Sequence, residues 1–113
     1  MALRILNYAD ESARRGGTGK FVVLRKDDSV TLALATLEAC DQHMDIVRRF
    51  QFEAGAAAFD WRVRGGGWWR HDAEAGEVRL YGSSARYGPF DPADLAELAD
   101  GDVFPAARTR VDA

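Results

Sequence analysis

The sequence predicts an α/β (α+β) sandwich in which a single mixed β-sheet is flanked by two helices, all within one domain spanning residues 1–113. Three observations predict it. Lys20 to Arg25 and Val30 to Ala39 are β-branched, aromatic and apolar runs separated by the turn residues Asp27, Asp28 and Ser29. Ile46, Val47, Phe50 and Ala54 recur at the spacing of one helix face. Phe59, Trp61 and Val63 alternate with Asp60, Arg62 and Arg64 at the period of a half-buried strand.

Each element then has its own justification. Residues 3–8 form a short first strand, and Ala9 to Gly19, polar and glycine-rich without an apolar period, reads as a mobile loop. The run from Val30 is apolar or threonine almost throughout, as expected of a central strand covered on both faces. Asp41 is positioned to cap a helix from Gln42 to Glu53, which Gly55 ends. Gly65-Gly66-Gly67 interrupts the following strand with a bend or a close backbone approach. Trp68 to His71 and Glu77 to Tyr81 make a hairpin across Asp72 to Gly76. Asp91-Pro92 starts a second, short helix with Leu95 and Leu98 on its buried side, and Gly101 stops it. Val103-Phe104 adds an edge strand, and Ala106 to Ala113 is a tail.

Composition removes several classes of function. A hydrophobic share of 47% against 29% charged is globular usage rather than that of a disordered chain. A net charge of -3 and a pI near 5.3 lack the basic surplus of a general nucleic-acid binder. The only cysteine, Cys40, permits no internal disulfide, which points to a reducing cytoplasm, and the apolar stretch at the start is too short for a signal peptide or a membrane span. Two histidines and one cysteine have no metal-ligand spacing, which disfavours metal catalysis, while scattered carboxylates could still bind Mg²⁺ weakly. Gly16 to Lys20 is no P-loop, because Lys20 enters a strand through Phe21 instead of opening a helix through Ser or Thr.

Two segments carry chemistry. Tyr81-Gly82-Ser83-Ser84-Ala85-Arg86-Tyr87-Gly88-Pro89 puts hydroxyls, a guanidinium and glycines where a strand ends, which suits an oxyanion or simply a self-satisfied turn. His43 lies at a helix start, where free backbone N–H groups favour an anion. Asp45 ties the first helical turn, since a carboxylate facing phosphate would repel it. Of the remaining candidates, His71 sits beside the hairpin turn and is expected to be exposed, and Trp68 and Trp69 point to opposite faces of their strand.

Lys20-Phe21-Val22-Val23-Leu24-Arg25, His43-Met44-Asp45-Ile46, Gly65-Gly66-Gly67 and Tyr81-Gly82-x-Ser84-x-x-Tyr87-Gly88-Pro89 together resemble the small phosphohistidine phosphatase family, which includes the Janus and Ocnus proteins. The resemblance spans roughly residues 19–101 and implies a phosphohistidine-phosphatase-like sandwich that removes phosphate from nitrogen without metal or cofactor. It assigns His43 as the catalytic histidine, either general base or nucleophile, and Lys20 as the active-site lysine. It matches Ser84, Ala85 and Arg86 to the phosphate-holding loop, and the backbone N–H groups of His43 and Met44 would complete the cradle. Where the family has an arginine after the triple glycine, this chain has Trp68, with Arg70 two residues on as a candidate substitute. Gln42 stands where an aromatic residue is usual and Arg86 where a small one is, so Arg86 is a candidate replacement for the positive charge lost at Trp68. The implied partner is a phosphorylated protein or a small N-phosphate bound by a monomer, with no nucleic acid or membrane. Two alternatives stay open: a non-catalytic phospho-ligand-binding or regulatory protein of the same fold, and a structural protein in which the motifs preserve only the fold.

Overall fold

The structure, a computed structural model, describes residues 2–9 and 11–112. Its strands are β1 (Ala2–Asn7), β2 (Gly17–Lys26), β3 (Ser29–Thr36), β4 (Arg62–Asp72), β5 (Glu77–Tyr81), the two-residue β6 (Ser83–Ser84) and β7 (Gly88–Pro89), and β8 (Arg108–Val111). One α-helix, α1 (His43–Ala54), joins β3 to β4 by way of a 3-10 segment, Gly55–Asp60. The sheet runs β1-β3-β2-β4-β5-β8, with β7 bridging β4 and β6. It is mixed: the inner pairs are antiparallel, while β1 lies parallel to β3 and β8 parallel to β5.

Strand alternation divides the core between the two sheet faces. Phe21, Val23, Leu32 and Leu34 pack with Trp69, Val78, Leu80, Phe90, Leu95 and Phe104 on one side. Val22, Leu24, Ala33 and Ala35 meet Ile46, Val47 and Phe50 of α1 on the other. This two-sided burial explains the unbroken apolar run of β3, in which residues 30–35 are all buried. Alanines at 33 and 35 let the helix lie close to the sheet.

Several expectations are corrected. Residues 9–19 are not a mobile loop: Glu11–Arg15 is a 3-10 helix, Ala13 is 2% exposed, and Gly17 to Gly19 already pair with His71 to Trp69. Asp10, within that range, lies outside the described residues. Gly19 serves contact rather than motion, because a Cβ there would stand 2.0 Å from the Ala35 carbonyl oxygen and 2.6 Å from the Trp69 indole nitrogen. The run expected to extend to Ala39 ends at Thr36 and passes into a turn. Gln42, not Asp41, is the N-cap of α1, and Gly55 closes the helix with φ 60° as expected.

Phe59 is 92% exposed on the 3-10 segment, so the alternation from 59 to 61 was coincidental and β4 begins at Arg62. Gly65 to Gly67 does not interrupt β4, which runs through it with a register shift opposite Val23 and Leu24, but the close backbone approach expected there is met, since a Cβ on Gly67 would stand 2.4 Å from the Tyr81 carbonyl oxygen. The second helix is a single 3-10 turn, Pro92–Leu95, capped by the Asp91 carboxylate on the Ala93 amide at 2.9 Å. Val103 and Phe104 plug the core from a bend instead of forming an edge strand. The expected tail contains β8, which covers the edge of β5; Ala113 lies outside the described residues.

Asp94 is 2% exposed and holds Arg25 at 3.2 Å and Arg64 at 3.3 Å, joining the turn at 92–95 to β2 and β4. Both arginines are partly exposed and can rehydrate, so Asp94→Ala is expected to cost about 1–3 kcal/mol, read as a lower urea midpoint with an unchanged slope.

Candidate functional site

The N-terminus of α1 meets β2, β4 and the loop after β5 around a cleft of about 550 Å³. Lys20, His43, Met44, Trp68, Ala85 and Arg86 line it, together with Gln42 and Ser83. The arrangement follows from the sheet. Lys20 and Trp68 are cross-strand partners on the same face, and Trp68 in turn pairs with Tyr81, from which the chain enters the loop.

His43 is the first residue of α1 and only 7% exposed. Its Nε2 lies 2.8 Å from the Gly67 carbonyl oxygen, which can only accept, so Nε2 carries the proton and the neutral ring keeps its lone pair on Nδ1. Burial pushes the imidazole below its ordinary 6.5; the Lys20 ammonium adds to that push and the Gly67 carbonyl opposes it. His43 is thus held neutral, with one nitrogen fixed and the other free to take a proton or attack an electrophile.

Helix geometry leaves the His43 and Met44 amides without intrahelical acceptors. The Asp45 amide bonds to the Gln42 carbonyl at 3.0 Å, and the Asp45 carboxylate turns back to the Gln42 amide at 2.9 Å, the structural role its charge suggested. Lys20 Nζ donates to the Asp41 carbonyl at 2.6 Å and sits 5.0 Å from the centre of the Trp68 ring. The aromatic wall therefore steadies a cation at the cleft. Arg86 contributes a second cation from the exposed loop. Among the described residues the cleft walls include no carboxylate, in a chain whose acids outnumber its bases 18 to 15.

Three assignments come out differently. Ser84 is 3% exposed and its Oγ accepts from the Tyr87 amide at 3.0 Å, so it shapes the loop from behind, and its neighbour Ser83 lines the cleft. Arg70 lines an adjoining cleft of about 660 Å³ with Arg15, Thr18 and Tyr81, not the one holding His43. His71 is buried, 6% exposed, stacked on Phe104 at 4.2 Å with Nδ1 2.5 Å from the Ala13 carbonyl oxygen, and it fastens the 3-10 helix to β4. Trp69 is core, as the alternation with Trp68 required. Ser83 and Gln42 were missed as wall residues; the two-residue alternation of β6 is the signal that separates Ser83 from Ser84.

Fold and site together define a small protein with one mixed sheet and an acid-free, cation-lined cleft built on a helix N-terminus and a buried neutral histidine. Residues 12–106 match the Janus/Ocnus family model (Ocnus), and the chain belongs to that family. Comparison with curated proteins found no match. Among the described residues no helix is long and apolar enough to cross a membrane, and no group of three or more His, Cys, Asp or Glu is placed to hold a metal ion.

Proposed function

We propose that this chain is a phosphohydrolase that removes phosphate from nitrogen, acting on phosphohistidine in proteins and, by the same chemistry, on phospholysine or small phosphoramidates. The observation that carries the reading is a neutral His43, oriented through Gly67, in a cleft whose charged walls are Lys20 and Arg86. The His43 and Met44 amides with those two cations would hold the non-bridging oxygens, where charge is redistributed in the transition state. Nδ1 of His43 takes a proton from water as the water oxygen bonds phosphorus and the P–N bond breaks. The leaving nitrogen takes a proton from solvent and Nδ1 gives its own back to solvent, leaving the free side chain, inorganic phosphate and neutral His43. In the covalent variant Nδ1 itself attacks phosphorus and water then cleaves the phosphorylated His43. The resemblance noted above implies no metal, so the direct test is phosphate release from a phosphohistidine peptide in EDTA, with His43→Ala alongside. Equal rates in the two proteins would end the proposal.

A second reading has its own support: Ser84 is buried and does not line the cleft, and Arg70 lies outside it. A pocket with fewer donors suits a phospho-ligand-binding or regulatory protein, for which calorimetry would show phosphate binding without turnover of any N-phosphate.

Lys20→Ala gives a double readout. Loss of one charge donor at the phosphoryl group is expected to lower kcat by about 10²-fold. Because the ammonium depresses the His43 value, its removal raises that value, and the acid limb of kcat/KM moves to higher pH while staying on the side of the ordinary histidine range that burial favours. An NMR titration of His43 that does not move upward in the variant would contradict the coupling.

A further inference from the structure

The cleft that takes Arg70 away from His43 has its own logic. Thr18 and Arg70 are cross-strand partners one pleat beyond Lys20 and Trp68, on the same face of the sheet, so the two clefts are separated by about 7 Å of strand. Trp68 walls one and its partner Tyr81 the other. Arginines on this part of the sheet fall into two groups. Arg79 and Arg110 are engaged by Asp112, and Arg79 also lies over the Tyr81 ring at 4.8 Å. Arg15 and Arg70 are exposed and have no carboxylate partner among the described residues. Acidic residues Asp72 and Glu74 stand at the far end, in the hairpin, where Asp72 Oδ1 accepts from the Ala75 amide at 3.1 Å. Arg70 thus stands next to the phosphate cleft, while Arg15, beyond Gly17 and its partner His71, stands with Asp72 and Glu74 toward the hairpin end.

We infer that this adjoining cleft is the docking site for an acidic side chain of a polypeptide substrate, received by Arg15 and Arg70, about two to four residues from the phosphorylated one at the usual extended rise of about 3.3 Å per residue. The inference rests on the phosphohydrolase reading and names its substrate class: a protein whose phosphohistidine is flanked by Asp or Glu. The acids at the hairpin oppose a longer acidic run, so a single nearby carboxylate fits better than a polyanionic tract. A small phosphoramidate would fill only the His43 cleft and be indifferent to Arg15.

The test uses phosphohistidine peptides of one length carrying Asp, Asn or Lys three residues from the phosphorylated position, with a small phosphoramidate as control, at low salt because exposed charges are screened within about 10 Å at 0.1 M. The wild type is expected to favour the Asp over the Lys peptide by about tenfold in kcat/KM, mostly through KM, a pair of charge-assisted contacts being worth that much. Arg15→Glu is expected to reverse the order and leave phosphoramidate turnover unchanged, and Arg70→Glu to reverse the peptide order likewise. Calorimetric binding of the same peptides separates the two ideas. A wild type that releases phosphate from neither the phosphohistidine peptides nor the phosphoramidate sinks the hydrolase reading. Equal binding of Asp and Lys peptides, or a preference that survives both charge reversals, sinks the docking site.

Discussion

His43→Ala is expected to slow phosphate release from a phosphohistidine peptide by about 10²–10⁴-fold, the range for loss of a positioned general base, and by more if the ring is the nucleophile. Stability should suffer far less. The truncation leaves the Gly67 carbonyl without its partner in a buried setting, a cost of about 1–3 kcal/mol against a total near 5–15 kcal/mol. His43→Gln isolates the chemistry, because its side-chain amide can donate toward Gly67 but offers no basic nitrogen. Equal inactivity of the two variants, with the glutamine form the more stable, is the pattern that assigns catalysis to Nδ1. The sign of the pH dependence follows from the depressed ring. Between the folded and the ordinary value the unfolded chain binds more protons, so the His43 contribution to stability is present above pH 6.5 and is lost as the pH falls through the folded value. Activity has the same direction on its acid side, since protonation removes the lone pair. A variant with wild-type turnover would leave the cleft without its base.

Gly66→Ala is expected to damage stability and site together, although a Cβ at Gly19, Gly65 or Gly67 would meet backbone more closely still. A Cβ there would stand 2.6 Å from the Phe21 carbonyl oxygen, 3.0 Å from His43 Cδ2 and 3.2 Å from Ser84 Cβ. The first of these is backbone of the neighbouring strand and cannot swing aside, so β2 and β4 must part or the site must shift. Overpacking commonly costs 1–3 kcal/mol; with backbone in the way about 3 kcal/mol or more is expected, a fall in Tm of roughly 10 °C for a chain of this size. Any protein that does fold should also lose activity, because the methyl presses on the imidazole and on the loop that Ser84 shapes. Gly88→Ala supplies the control. Its φ of 79° costs about 1 kcal/mol, but nothing lies within 4 Å of the added carbon. If the two variants melt together, crowding at Gly66 is not what the geometry says it is.

The legible parts of this fold are those in which burial leaves the sequence no choice. The β2 and β3 runs are apolar on both faces because both are covered, and the α1 stripe is apolar because it packs on Ala33 and Ala35. His43 and Lys20 were reached through the resemblance carried by Lys20 to Arg25 and His43 to Ile46, and the structure brings both to one cleft. The rest fails for particular reasons. Gly19 looks like slack, yet the Trp69 indole and the Ala35 carbonyl leave no room for a side chain there, a contact invisible until β3 and β4 are brought to β2. Arg108 to Val111 is too short and too polar to show a strand, and only the open edge of β5 makes it one. The loop after Tyr81 was recognised while its inward serine was not, because which of two adjacent hydroxyls faces a cleft depends on the pairing of β6 with β7. Arg70 shares a face with Trp68 as the period of two requires, but one pleat away is already another cleft.

The parallel edge strands have a consequence for how copies of this protein meet one another. The hairpins β2–β3 and β4–β5 fill the sheet interior, and the outermost rows of backbone donors and acceptors belong to β1 and β8, six and four residues long. Open edges of this sort invite strand addition from a neighbouring chain. Arg4 on one rim and Arg108 and Arg110 on the other answer that hazard, since two copies meeting rim to rim would bring like charges together. The hazard of an unclosed sheet is thereby met by the charges on its two short edge strands, which keep its free hydrogen-bonding rows from becoming a template for aggregation.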